Sequence, residues 1–318
     1  MNEQTTLAGL AWTQKKKQTR RERFLSEMER VIPWKRLLAV IEPHYAKAGA
    51  GRRPKDLETM LRIYFLQQWF DLSDPGAEDA LYDSESMRRF AGVELADDAI
   101  PDESTILRFR RLLETHELTR AIFEEIGSLL EEKGLLLKQG TIVDATIIHA
   151  PASTKNKAKA RDPEMRSTQK GNNWYFGMKM HVGTTVDGLV HTLATTNAAQ
   201  SDIKQMEGLL HGEEEVIYGD GAYWKQDDRM AYQAKGVRYR VNRRPKRNET
   251  LSKRWRQVNR ARSTVRARGE HAFRVVKQLW GFTKVRYRGL AKNTVRAYAA
   301  FGLANLYMAR RSLLPAGA

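Results

Sequence analysis

Thr141-Ile142-Val143-Asp144-Ala145-Thr146-Ile147-Ile148 is the stretch that decides the fold. Its β-branched, apolar run suits a buried strand and breaks with the helical spacing that precedes it. One charge interrupts it. A carboxylate at Asp144 costs several kcal/mol in an apolar strand unless it is paired or bound to a cation. Read alone, Asp144 is more simply a strand-end residue that faces solvent or pairs with an arginine. Its weight comes from what lies elsewhere in the chain.

Upstream, residues 54–134 carry apolar positions at helical spacing, beginning with Leu57, Met60, Leu61, Tyr64 and Phe65. Pro54 opens the pattern, Asp74-Pro75-Gly76 reads as a turn, and Ala77–Phe90 as one or two short helices. Pro101-Asp102-Glu103-Ser104 starts another helix, and a further one over Leu118–Lys133 stops at Gly134. Before them, Lys15, Lys16, Lys17, Arg20, Arg21 and Arg23 form a basic arm that leads into a helix ending near Pro33.

Downstream, residues 151–173 read as a long basic loop. Strands are expected over Tyr175–Val186 and Leu189–Thr196, joined at Asp187-Gly188 in a hairpin turn. A helix over Ile203–Leu210, a short strand over Glu215–Tyr218, a helix near Lys225–Ala234 and a strand over Val237–Val241 follow. Residues 242–261 look like a basic linker, Arg262–Leu279 a helix, and the chain closes on an amphipathic helix to Arg311. This order implies an α/β fold: a mixed-sheet domain preceded by an all-helical one. The expected division is an N-terminal arm over 1–50, a helical domain over 51–135 and a sheet domain over 136–318.

The net charge of +17 is concentrated in one place. Between Lys235 and Arg296 there are 21 Lys and Arg against two acids, Glu249 and Glu270, while the rest of the chain carries 34 basic and 36 acidic residues. Such a stretch suits a polyanion, most simply nucleic acid. A lone Glu270 there is either neutralised by Arg266 and Arg274, one helical turn away on each side, or useful as a cation ligand. Asp220 lies between two glycines just past a strand, where α/β sheets place their sites. Three carboxylates favour a hard cation, Mg²⁺ or Mn²⁺, and two such ions support in-line phosphoryl transfer. The absence of cysteine excludes disulfides and thiolate chemistry. No run of about 18 apolar residues suggests a membrane span and no signal peptide is evident, so a cytoplasmic protein is expected.

Several ordered segments make the chain recognisable: Gly51-Arg52-Arg53-Pro54 with Leu57–Arg62, Gly140–Ala150, Pro151–Asn156, Arg161–Met165, Phe176–Lys179, Leu210–Glu214, Arg266–His271, Tyr287–Asn293 and Leu303–Leu306. With these it resembles the DDE transposases of bacterial insertion sequences, specifically the IS5 family. The resemblance implies an RNase H-like catalytic domain with Asp144, Asp220 and Glu270 as catalytic and metal-binding residues. It also implies binding of double-stranded DNA at terminal inverted repeats and at the target, action as a homodimer or higher oligomer, and a nucleoid-associated place in the bacterial cytoplasm. Arg266 and Lys277 fit a phosphate-contacting pattern around the Glu found in related transposases; its tyrosine position is Ser263 here. Further DNA contacts are expected from Arg274, Arg243, Arg244, Lys284, Arg286 and Arg288, and from Trp224, with Trp255, as a stacking surface for a base. His149 and His271 read as bystanders, Glu213-Glu214-Glu215 as a solvated turn, and Asp202 and Glu207 as minor positioning groups. A DNA-binding regulator without catalysis, or an RNA-directed nuclease, are the competing readings.

Overall fold

The computed structural model describes residues 15–47, 53–94, 99–157, 159–245 and 249–314. Gly51 and Arg52 of the resemblance, the first 14 residues of the arm, and Lys246 and Arg247 of the basic stretch lie outside them.

The N-terminal half is helical: α1 (Arg20–Val31), α2 (Trp34–Ile41), α3 (Leu57–Trp69), α4 (Asp74–Asp83), α5 (Glu85–Ala91), α6 (Glu103–Thr115) and α7 (Leu118–Glu132). Their starts follow local chemistry. Thr19 and Glu22 close a capping box on α1, while Asp56, Ser73 and Asp102 accept backbone N–H bonds from the first turns of α3, α4 and α6. Asp74-Pro75-Gly76 is therefore a helix start and not a free turn: proline suits the first turn, where its missing N–H costs nothing. The basic arm joins α1 from Arg20 onward.

The second half is built on a six-stranded mixed sheet: β1 (Gly140–His149), β2 (Arg166–Lys170), β3 (Asn173–Thr185), β4 (Val190–Asn197), β5 (Val216–Gly219) and β6 (Arg238–Val241). The order is β2-β3-β1-β5-β6, with β4 also paired to β3. β3 runs antiparallel to β1, whereas β5 is parallel to it. This is the expected α/β class, with the mixed sheet after the helical region.

Four further expectations need correction. β2 lies in what reads as loop, because its RSTQK sequence has no apolar face to announce a strand. Asp202–Gln205 and Glu207–Leu209 are separate 3-10 turns, not one helix over Ile203–Leu210. A helix, α9 (Lys253–Arg266), begins inside the stretch 242–261 that reads as a linker; Ser252 caps it, and it buries no residue. The helix expected over Arg262–Leu279 is broken: α9 ends at Arg266, α10 (Glu270–Arg274) begins at Glu270, and Val275–Leu279 widens into a π-helical turn.

The remaining helices are α8 (Gln226–Ala234) and α11 (Leu290–Leu313). α11 buries Phe301, Leu303, Ala304 and Leu306 between α7 and β4. One apolar core therefore runs from Leu25 and Met28 through Phe65, Ile126, Met178 and Met180 to Phe301. The boundary expected at 135/136 separates element types but not cores. A smaller cluster, with Val143, Ile217, Tyr223 and Tyr239, fills the other face of the sheet.

Candidate active site

β1 is ten residues long, but β5 pairs only with its first four, from Gly140↔Val216 to Val143↔Gly219. The next residues, Asp144 and Asp220, therefore leave adjacent parallel strands side by side. Between them and His149, where residues 283–285 bridge to β1, the β5 side of β1 has no strand partner among the described residues, and a cavity of 1090 Å³ occupies that notch. It is lined by Asp144, Asp220 and Glu270, together with Arg266, Arg274 and Lys277.

Local sequence aims each group. Asp220 caps the turn Gly221–Tyr223, its Oδ1 accepting from the Ala222 N–H at 2.8 Å. Asp144 accepts from the Ala145 N–H at 2.9 Å. Glu270 opens α10 after a tightened turn, in which the N–H groups of Gly269, Glu270 and His271 reach carbonyls three residues back. Gly269 sits flat on the sheet: a Cβ there would lie 3.0 Å from Ile142 Cγ2 and 3.2 Å from Thr184 Oγ1. A side chain would push Glu270 off the notch.

Arg266 joins two of the three acids. Its Nη1 donates to Asp144 Oδ2 at 3.0 Å, and its Nη2 lies 3.0 Å from Glu270 Oε1. Asp144 is largely buried, and burial pushes its carboxyl up to about 6; Arg266 and the Ala145 N–H pull the other way, while the charges of Asp220 and Glu270 add to the rise. The three acids thus share one electrostatic site. Among the described residues, however, no three His, Cys, Asp or Glu side chains converge closely enough to hold a metal ion. The expected meeting of three carboxylates at one point is replaced by a guanidinium bridge between two of them.

Lys277 projects from the π-helical turn, a distortion that often marks functional positions. Its Nζ donates to Thr146 Oγ1 at 2.9 Å and to the Ile147 carbonyl at 3.0 Å. Burial lowers its pKa, and the nearby Lys170 ammonium lowers it further. Arg274 is exposed on the cavity rim. Lys284 and Arg288 are exposed outside the cavity lining, Lys284 bridging to His149 at the far end of β1. Arg286 differs from expectation: its guanidinium turns inward onto Asp71 and the Leu72 carbonyl, tying the sheet domain to the end of α3.

Trp224 and Trp255 come together, ring centroids 6.5 Å apart, with Arg243 5.0 Å over Trp255 and Arg229 5.9 Å over Trp224. Arg244 is exposed beside Gly221. This aromatic and basic patch borders the Asp220 turn. His271 lines the cavity, whereas His149 packs on Tyr175. Glu207 is exposed and away from the cavity lining. Glu214 is not solvated: it is buried, accepting from Thr141 Oγ1 and from the His211 and Gly212 N–H groups. Sequence reasoning gave no role to Lys170, Thr168 or Lys179, which also line the cavity; only the β2–β3 pairing reveals the first two.

The family model described as "Transposase DDE domain" matches residues 136–306, and "Transposase domain (DUF772)" matches residues 13–112. The chain belongs to the DDE transposase family. As a DNA transposase of insertion-sequence type, it acts by phosphodiester cleavage and strand transfer, in a family that depends on divalent metal. The matched regions cover both the helical half and the sheet that carries the cavity. Among solved structures, "Crystal structure of the Mos1 Strand Transfer Complex" is similar to the transposase over 75% of this chain and 82% of that one, at 12% identity and a TM-score of 0.20.

Proposed function

We propose that this is an IS5-type transposase acting on the terminal inverted repeats of the element that encodes it. It cuts strands at the element's ends and joins the freed 3′-hydroxyl to target DNA. The observation that carries this reading is the strand register, which sets Asp144 beside Asp220 at an open sheet edge, with Glu270 tied to Asp144 through Arg266.

The donor set fits a hard divalent cation. Asp144, Asp220 and Glu270 offer oxygen only, and one guanidinium, that of Arg266, stands against the three of them in the cavity where Asp144 and Glu270 meet it at 3.0 Å. These three would hold Mg²⁺, or Mn²⁺ in its place, with two ions in the full complement. When bound, the metal supplies charge stabilisation at the phosphate and an activated attacking oxygen.

The chain's own groups do the rest. Arg266 holds Asp144 and Glu270 through the oxygens that a cation would use, and with those oxygens taken its guanidinium would be free to face a phosphate. Lys277 spends two N–H groups on Thr146 and Ile147 and keeps a third for the cavity. Arg274, Lys284 and Arg288 on one side, and Arg243 and Arg244 with Trp224 and Trp255 on the other, lead the double-stranded DNA backbone past the cavity. The helical residues 51–135 carry end recognition and dimer contacts, and 136–318 carry catalysis. A homodimer or higher oligomer pairs the two ends. The transposase works in the bacterial cytoplasm on the nucleoid; among the described residues no helix is long and apolar enough to cross a membrane.

The test is strand cleavage of a duplex carrying the element's terminal sequence, in Mg²⁺. Losing one metal ligand removes several kcal/mol of charge stabilisation, so Asp144→Ala, Asp220→Ala and Glu270→Ala should each lower cleavage by roughly 10³-fold or more while DNA binding persists. Retained cleavage in any of the three overturns the assignment.

A further inference from the structure

The cavity has a second wall that the catalytic triad does not explain. Its first wall is the α9–α10 segment, with Arg266, Glu270, Arg274 and Lys277. The other is built from Lys179 of β3 and Asp202 of the 3-10 turn. Lys179 alternates with Met178 and Met180, which are buried in the core shared with α10 and α11, so it rises from the opposite face of the sheet. It reaches the cavity because β1 has an open edge there.

Two lysines then line the cavity beside Ile147, one from each face of the sheet. Lys179 is the cross-strand partner of Ile147, and Ile147 is the residue whose carbonyl accepts from Lys277. The anchoring is alike. Lys179 Nζ donates to the Gln200 carbonyl and to Asp202 Oδ1, each at 2.8 Å, which leaves its third N–H for the cavity. The Lys179 side chain is only 12% exposed. Asp202 lies 3.9 Å from His181 Nδ1. His181 is fully buried and accordingly neutral, so it leaves Lys179 to match the Asp202 charge. In a pair this buried the desolvation of both charges offsets most of their attraction, so fixing the loop gives a poor reason for an ammonium at this position. Presenting a fixed positive charge to an anion in the notch gives a good one.

We infer that Lys179 contacts a non-bridging oxygen of the phosphate being cleaved, across the cavity from Lys277, and that Asp202 is its positioning residue. This rests on the triad cavity being the active site. The phosphate is gripped from both faces of the sheet, and the open edge of β1 is the slot through which the strand passes.

The test uses the full chain and a duplex carrying the element's terminal sequence. Lys179→Met should lower kcat by about 100-fold with KM changed by less than about threefold, and Lys179→Arg should recover part of the loss. Asp202→Asn should give a smaller loss, about tenfold, because the ammonium stays but is held loosely. The second readout is binding in Ca²⁺ to duplexes with either a phosphodiester or an uncharged methylphosphonate at the cleavage position. Wild type should discriminate between them, and Lys179→Met should shrink that discrimination by about threefold or more. Normal kcat in Lys179→Met, or undiminished discrimination, overturns the proposal while the triad assignment stands. A wild type that binds but never cleaves sinks both.

Discussion

Arg62 and Arg266 are both arginines between two carboxylates, and they solve opposite problems. Arg62 binds Glu29 and Glu58, donates to the Phe90 carbonyl, and lies 4.1 Å over the Trp34 ring. Its guanidinium is consumed by one fixed environment in the helical half. Arg266 bridges Asp144 and Glu270, but its buried Nε has no partner, one of its acids is 54% exposed, and a third acid, Asp220, stands by. The first arginine completes a structure. The second occupies a site that remains incomplete and is therefore available to be displaced. Ion-pair geometry alone does not distinguish the two; what each leaves unsatisfied does.

The largest separation comes from paired substitutions. Arg266→Met should lower cleavage by roughly 100-fold at a stability cost of no more than about 1 kcal/mol, because Asp144, whose carboxyl already sits at about 6, takes up a proton once the guanidinium is gone. It should also tighten Mn²⁺ binding measured calorimetrically, since the competing cation is gone. Arg62→Met should do the reverse, costing about 2 kcal/mol in urea unfolding with kcat of the surviving fold unchanged; its half-exposed glutamates can turn to water, which keeps the cost below that of a fully buried pair. Equal effects of the two substitutions on stability would break the comparison.

The next test concerns the other wall of the cavity. Burial lowers the His181 pKa to about 4, against about 6.5 when unfolded. Between those values the unfolded chain binds the extra proton, so stability falls as pH falls through that window. Going from pH 6.5 to 5 should cost up to about 2 kcal/mol, and His181→Gln should flatten that slope in denaturant midpoints. A smaller pair uses glycines. Gly269→Ala should lower cleavage about tenfold for roughly 1 kcal/mol of stability, by lifting Glu270 from the sheet. Gly92→Ala, at the left-handed end of α5 (φ 69°), should cost a similar ~1 kcal/mol and leave cleavage alone. Loss of activity at Gly92 would show that the site is sensitive to any loosening of the fold.

What the sequence disclosed follows from which forces are local. The β-branched run through Asp144, the caps at Asp102 and Gly134, and the Asp187-Gly188 turn are written in adjacent residues, and each stands where its chemistry puts it. β2 was hidden because an exposed edge strand needs no apolar alternation. α9 was hidden because it buries nothing; propensity and the Ser252 cap make it, and basic residues mask it. The break before Glu270 follows from Gly269 meeting Ile142, a contact between residues distant in sequence. For the same reason, Asp144 and Glu270 are recognisable as a type, but the Arg266 bridge and the Lys179 wall emerge only once the strands are in register.

The final helix has a consequence for how such a gene fails. α11 packs against α7, α1 and β4 together, so it belongs to no single module. A premature stop codon anywhere before Leu290 strips the hydrophobic keystone from both halves at once. Frameshifted copies should then yield protein that the cell degrades, in place of a stable fragment that occupies DNA ends and poisons the intact enzyme.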